Sequence, residues 1–175
     1  MKYLKIFLSV VLLGILSFNP ITAKAEVSFL DFLKDRRIGK AAPDFTLQTT
    51  SGQEMNMTKF RNGDNAIIFF WATWCPHCQV ALSKLNQEQG NIAKKGIKII
   101  LVDLEENAQE VRSHLKRGKI DLNVFLDQEG SLSEPYGIIG VPTFYFVDKD
   151  GIVQAVEHSL PKNYEEYFLK SKPKT

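Results

Sequence analysis

The stretch Asn65–Leu82, NAIIFFWATWCPHCQVAL, decides how this chain is to be read. From Ala66 to Ala72 it is continuously apolar and rich in β-branched and aromatic residues, the composition of a strand buried on both faces. From Pro76 onward the apolar residues Val80, Ala81, Leu82, Leu85 and Ile92 read as a helix. Both cysteines of the chain, Cys75 and Cys78, sit at the junction, with Pro76 and His77 between them. A pair at this spacing serves electrons, a metal or a staple.

Local geometry favours electrons. Cys75 ends the strand and Cys78 falls in the first helical turn, where residues three apart are neighbours, so the two sulfurs can meet. Cys75 stays at the helix N-terminus, whose unpaired N–H groups and positive dipole end favour an anion such as a thiolate. The Cys75 thiol is therefore expected to acidify. Pro76 suits the first helical position, where a missing N–H costs nothing. His77, protonated or donating, would stabilise the thiolate further. In this reading Cys75 is the nucleophile and Cys78 the buried resolving thiol. The cysteine pair carries the electrons, so no organic cofactor is called for.

A zinc site needs two further ligands beyond a CxxC pair. Only His77, His114 and His158 are on offer, at no ligand spacing. His114 reads as part of a solvated helix face and His158 as an exposed residue after a strand. A copper(I)-binding dithiol is chemically open. As a staple the pair closes a loop too short to constrain much chain.

The first residues set the compartment. Lys2 and Lys5 precede a nearly unbroken apolar run, Ile6 to Phe18, and Ala23-Lys24-Ala25 follows. This is the pattern of a secretory signal peptide over 1–25. The run is short of the roughly 20 residues of a membrane-spanning helix; an uncleaved N-terminal anchor is the alternative. The whole chain has 22 Lys+Arg against 20 Asp+Glu. Residues 1–25 hold Lys2, Lys5, Lys24 and no acid, so removing them leaves 19 against 20. No basic block remains to suggest nucleic acid. Outside the cytoplasm a disulfide persists.

The remaining segments alternate. Residues 26–37 form a helical lead-in, with an amphipathic helix over 28–37. A β-hairpin around Ser51-Gly52 follows, then one helical turn near Thr58–Phe60. GIKIILVDL is a second buried strand, and 107–117 is a helix capped by Asn107 and ended by Gly118. LNVFLD is a short strand and SLSEPYG a helical turn. VPTFYFVDKDGIVQAVE is a hairpin turning at Lys149-Asp150-Gly151, KNYEEYFLK a closing helix and SKPKT a tail. The pattern is that of a single layered α/β domain over 38–175.

Two segments together resemble a known family. FFWATWCPHC resembles the thioredoxin superfamily motif, and YGIIGVPTFYFVDKDG (Tyr136 to Gly151) resembles its second signature. IGKAAPDFTLQTTSGQEMNMTKFRNGDNAIIFFWATWC resembles the TlpA/ResA-type branch, exported thioredoxins with an extra N-terminal hairpin. The resemblance implies a thioredoxin fold: three layers, α/β/α, around a mixed central sheet, with an N-terminal β-hairpin extension. It implies that Pro142 is a cis-proline beside the cysteines and that Val141 offers its backbone to an extended substrate. Trp71 is expected in the core and Trp74 on the exposed rim of the substrate site.

Three departures qualify the resemblance. The thioredoxin buried Asp would fall at Phe69, and the branch's Glu at Ala81. The chain has neither, which leaves the proton route of the buried thiol to some other group. Pro76-His77, and Val before the cis-proline, resemble the oxidant DsbA instead. APDFTL resembles the peroxiredoxins, but their Thr or Ser and Pro before the reactive cysteine are here Ala72 and Ile68.

The expected activity is extracytoplasmic thiol–disulfide exchange with exported protein thiols or disulfides, in a TlpA-like reducing role. Possible substrates include apocytochrome c, and a membrane thiol–disulfide partner would exchange electrons with the protein. A DsbA-like oxidant and a copper(I) module are the alternatives. A monomer, with no metal in the site, is expected.

Overall fold

The chain divides into two compact units, residues 1–36 and 37–175. The structure, a computed structural model, describes residues 36–169. The expected signal peptide, the expected lead-in helix except Arg36 and Arg37, which lie in a turn, and the last residues fall outside the described part.

A two-stranded antiparallel hairpin comes first, β1 (Thr46–Gln48) and β2 (Glu54–Asn56), followed by the short helix α1 (Met57–Arg61). Asn56 caps α1 by accepting the Lys59 N–H at 2.9 Å. Next come β3 (Asn65–Trp71), α2 (Pro76–Lys94), β4 (Ile97–Leu104), α3 (Ala108–Gly118) and β5 (Val124–Asp127). The β6 (Thr143–Val147) and β7 (Val153–Glu157) hairpin and α4 (Glu166–Leu169) close the chain. The five-stranded sheet runs β5-β4-β3-β6-β7, parallel across β5, β4 and β3 and antiparallel at β6 and β7. It is the expected thioredoxin-like mixed sheet with a separate N-terminal hairpin.

β3 is the centre because it can be buried on both faces. Its residues from Ala66 to Trp71 are fully buried, and their burial contributes on the order of 10 kcal/mol of transfer free energy. Alternation along the strand divides two cores. Ile67, Phe69 and Trp71 face α2 and α3 with Leu82, Leu85, Val111 and Leu115. Ile68 and Phe70 face Phe45, Met57 and Tyr136, contributed by the hairpin, α1 and the 131–137 turn.

The α3 helix begins as its sequence reads, with the Asn107 side chain accepting the Gln109 and Glu110 N–H groups, each at 3.0 Å. Its left-handed residue is Lys119 (φ 53°), one past Gly118. Gly118 answers a different need: a Cβ there would meet Ile120 Cγ1 at 3.2 Å. The closing helix is shorter than KNYEEYFLK suggests. Among its described residues only Glu166–Leu169 is α-helical, and the bonds before it run three residues back, as from Glu166 N–H to Asn163 O. Buried Tyr164, with Tyr167 and Phe168, packs this segment on the sheet. The β6–β7 turn is held by Asp148, whose Oδ1 accepts the Asp150 and Ile152 N–H groups, and by Gly151 at φ 82°.

Candidate active site

Cys75 is the N-cap of α2 and Pro76 its first helical residue. A disulfide joins Cys75 to Cys78, with their Cα atoms 5.2 Å apart. The Cys75 Sγ accepts the Cys78 N–H at 3.2 Å, so a helix-end donor points at this sulfur. Cys75 is 4% exposed and Cys78 wholly buried. The two cysteines thus differ in access as their places on the strand and helix imply.

The Val141–Pro142 peptide bond is cis. The Cys75 Sγ lies 3.7 Å from the Val141 carbonyl oxygen. The distal segment is therefore folded against the cysteines, across 66 residues of chain. Behind it, His158 Nδ1 lies 3.3 Å from the Pro142 carbonyl and 3.2 Å from Thr143 Oγ1, whose hydroxyl donates to Gly140 O. A carbonyl can only accept, so the Nδ1 of His158 carries a proton in this arrangement. Sequence reading left His158 as merely exposed; it is exposed, and it also braces the cis-proline.

His77 is exposed in the first turn of α2. Trp74 is 68% exposed and Val80 72%, which leaves large apolar surface on both sides of the cysteines. Trp71 is buried, in the core as expected. His114 corrects the sequence reading. It is half-buried, its ring 5.7 Å from that of Trp71, rather than on a solvated face. Burial first, and the Arg117 charge second, hold its pKa below the usual histidine value.

The loop before Cys75 is anchored from the segment between β4 and α3. Glu106 accepts the Thr73 N–H and the Thr73 hydroxyl, each at 2.5 Å, and Gln79 Nε2 donates to Thr73 O at 2.9 Å. Phe69 occupies the position of the thioredoxin carboxylate and stacks on Phe144, ring centroids 4.3 Å apart. Ala81 packs at the core's edge.

A buried carboxyl exists elsewhere, at Asp103 beside Trp71 in the β3–β4 register. No hydrogen bond reaches either of its oxygens, and the neighbouring ionisable group is another carboxyl, Glu106. Burial, foremost, and then Glu106 push Asp103 up to about 9, so Asp103 keeps its proton. An acid closing an apolar strand, IILVDL, was the available signal.

The comparisons with known proteins now have a site to bear on. The AhpC/TSA family matches residues 38–156, from before the hairpin to the end of β7.

The chain belongs to the AhpC/TSA family.

Within that family its relatives carry the names of dithiol enzymes. It is 30% identical over 142 residues to the thiol-disulfide oxidoreductase ResA of Bacillus thuringiensis subsp. konkukian, covering 79% of this chain and 82% of that one. Among solved structures, StoA from Bacillus subtilis is similar with TM-score 0.60 at 25% identity, covering 71% of this chain and 93% of that one. A Chlorobium tepidum protein of the DsbE thiol:disulfide interchange type has TM-score 0.66 at 27% identity, covering 76% and 92%. The thiol-disulfide names of these relatives agree with the CxxC pair, and the Thr or Ser position of a peroxidatic cysteine is here Ala72.

Proposed function

We propose that this chain is an extracytoplasmic thiol–disulfide oxidoreductase of the ResA type, an enzyme whose Cys75–Cys78 dithiol passes two electrons to disulfides of exported proteins. The observation that carries the reading is the placement of Cys75. It caps α2, is the more accessible sulfur, and lies against the Val141 backbone next to Pro142.

In the reduced protein the Cys75 thiolate attacks one sulfur of the substrate disulfide. A Cys75–substrate disulfide forms, and the other substrate sulfur leaves as a thiolate and takes up a proton. Cys78 then gives up its proton and attacks the Cys75 sulfur. The Cys75–Cys78 disulfide forms and the second substrate thiol leaves. Val141 and Pro142 orient the substrate segment, Trp74 borders it, and Pro76 sets the helix start. A membrane thiol–disulfide donor returns two electrons to the pair, and the protein works as a monomer. No metal or organic cofactor enters these steps. Among the described residues no helix is long and apolar enough to cross a membrane. Export rests on the reading of residues 1–25 as a signal peptide, with an anchor as the alternative.

The redox state of the pair in cells tests the direction. A reductase is kept mainly as the dithiol; a pair found mainly oxidised would mean an oxidant instead. Metal content after purification tests the copper-module alternative, since stoichiometric copper would displace the exchange reading.

His77 tunes the poise. It lies two residues past the helix-capping Cys75, where a donor or cation favours the thiolate and so the reduced pair. His77→Gly is expected to move the potential by about 30–60 mV toward more reducing values, the equivalent of one to two pK units of thiolate stabilisation. Equilibration of both proteins against glutathione measures this. An unchanged potential would leave the helix terminus alone setting the poise.

A further inference from the structure

Beside the disulfide, on the side of α2 that faces β6 and β7, lies an open groove of about 480 Å³. His77 and Pro142, the neighbours of Cys78 and Val141, form one end of it. Its walls are apolar, from Val80, Phe144 and Leu160. Its one charged side chain is Lys84 on α2; the imidazoles of His77 and His158 line it too, and no carboxylate does. The nearest acid along β7, Glu157, is engaged by the Tyr167 hydroxyl at 2.6 Å. On the other side of Trp74 the surface differs: a polar groove against α3 carries Glu106 and Glu110 with Arg117. The reactive pair therefore sits between two unlike surfaces, and the apolar one carries a lysine and no acid.

We infer that this groove selects the substrate. Its occupant is the polypeptide segment flanking the exchanging cysteine, and that segment carries a large apolar residue together with a carboxylate. The inference rests on the exchange activity proposed above and names the class of substrate that activity takes. The apolar residue gains by leaving water against Val80 and Leu160, over the buried Phe144. The carboxylate gains by meeting Lys84 at the rim, where charge acts mainly on encounter and on choice of partner. A lysine-bearing segment meets like charge in the same place. Lys84 and His158 are specificity-determining residues in this scheme, distinct from the cysteines that react.

Three synthetic peptides decide the matter. Each holds one cysteine as its mixed disulfide with 2-mercaptoethanol, flanked on both sides by Leu and by Glu, Gln or Lys. Release of peptide thiol by the reduced full-length protein is followed. At low salt the Glu peptide is expected to react about fivefold or more faster than the Lys peptide, with the ratio falling toward one near 0.5 M salt. Lys84→Glu should bring the ratio below one, and Lys84→Gln to an intermediate value. Lys94→Glu makes the same change of net charge at the last residue of α2 and should keep the ratio above one. Glu and Lys peptides within twofold of each other in the wild type, or a ratio unmoved by Lys84→Glu, would overturn the inference while leaving the exchange activity standing. If none of the three peptides, the neutral one included, is reduced, the exchange reading falls and this inference with it.

Discussion

Cys78→Ala accumulates mixed disulfides with partner proteins, whereas Cys75→Ala accumulates none. Both variants lose turnover by about a thousandfold or more, the scale on which removal of a covalent nucleophile or its partner acts. They fail at different steps. Without Cys78 the first attack still occurs, since Cys75 keeps its place as N-cap of α2 against Val141. The Cys75–substrate disulfide then has no neighbouring thiol to resolve it. Without Cys75 the remaining sulfur is wholly buried and meets no substrate. Non-reducing electrophoresis of the two variants after growth reads the result, and mass spectrometry of the trapped species names the substrate. Equal trapping by both would reverse or dissolve the assignment of roles.

Asp103→Asn makes the protein more stable at alkaline pH than the wild type. Asp103 is fully buried and is pushed up to about 9, by burial first and by Glu106 second. An unfolded chain releases this proton near pH 4. Between those values the native state holds a proton that the unfolded state has lost. Stability therefore falls as pH rises, by about 1.4 kcal/mol per unit, or up to ~4 kcal/mol from pH 5 to pH 8. Asparagine does not ionise, and it has nearly the size and shape of the protonated acid. The Glu106 contacts with Thr73, and so the loop leading to Cys75, are then kept without the titration. Denaturant unfolding of the oxidised proteins at pH 5 and pH 8 gives the comparison. The difference between variant and wild type should grow with pH; a difference constant over this range would mean that Asp103 is ionised in the native state.

Much of the fold was legible because burial leaves a periodic trace. The run from Ala66 to Trp71 has no polar position, and a strand with no solvent face belongs in the middle of a sheet. Asn107 and the alternation of Val111 and Leu115 marked α3 to within a residue. The cysteine pair at a strand-to-helix junction announced the chemistry, since the N-cap geometry that sets Cys75 at the end of α2 is local. The closing helix was overdrawn because aromatic residues at Tyr164, Tyr167 and Phe168 suit an α-helix in isolation, while packing on the sheet tightens the turn before it. His114 was misjudged because its burial comes from Trp71, on another element.

By itself, then, the sequence determined the order of strands and helices, the central strand, the reactive pair and the position of each cysteine on it. These depend on hydrophobic period, capping and spacing, all properties of neighbours along the chain. The tertiary structure alone decided what surrounds the pair. It brought Val141 to Cys75, His158 to the Pro142 carbonyl, and Glu106 to Thr73. It placed a lone carboxyl, Asp103, in the register of Trp71, and set Lys84 and two histidines along one apolar groove. Each of these meetings joins segments that strand order makes adjacent, and no local pattern of apolar and polar residues encodes which distant side chain will stand opposite.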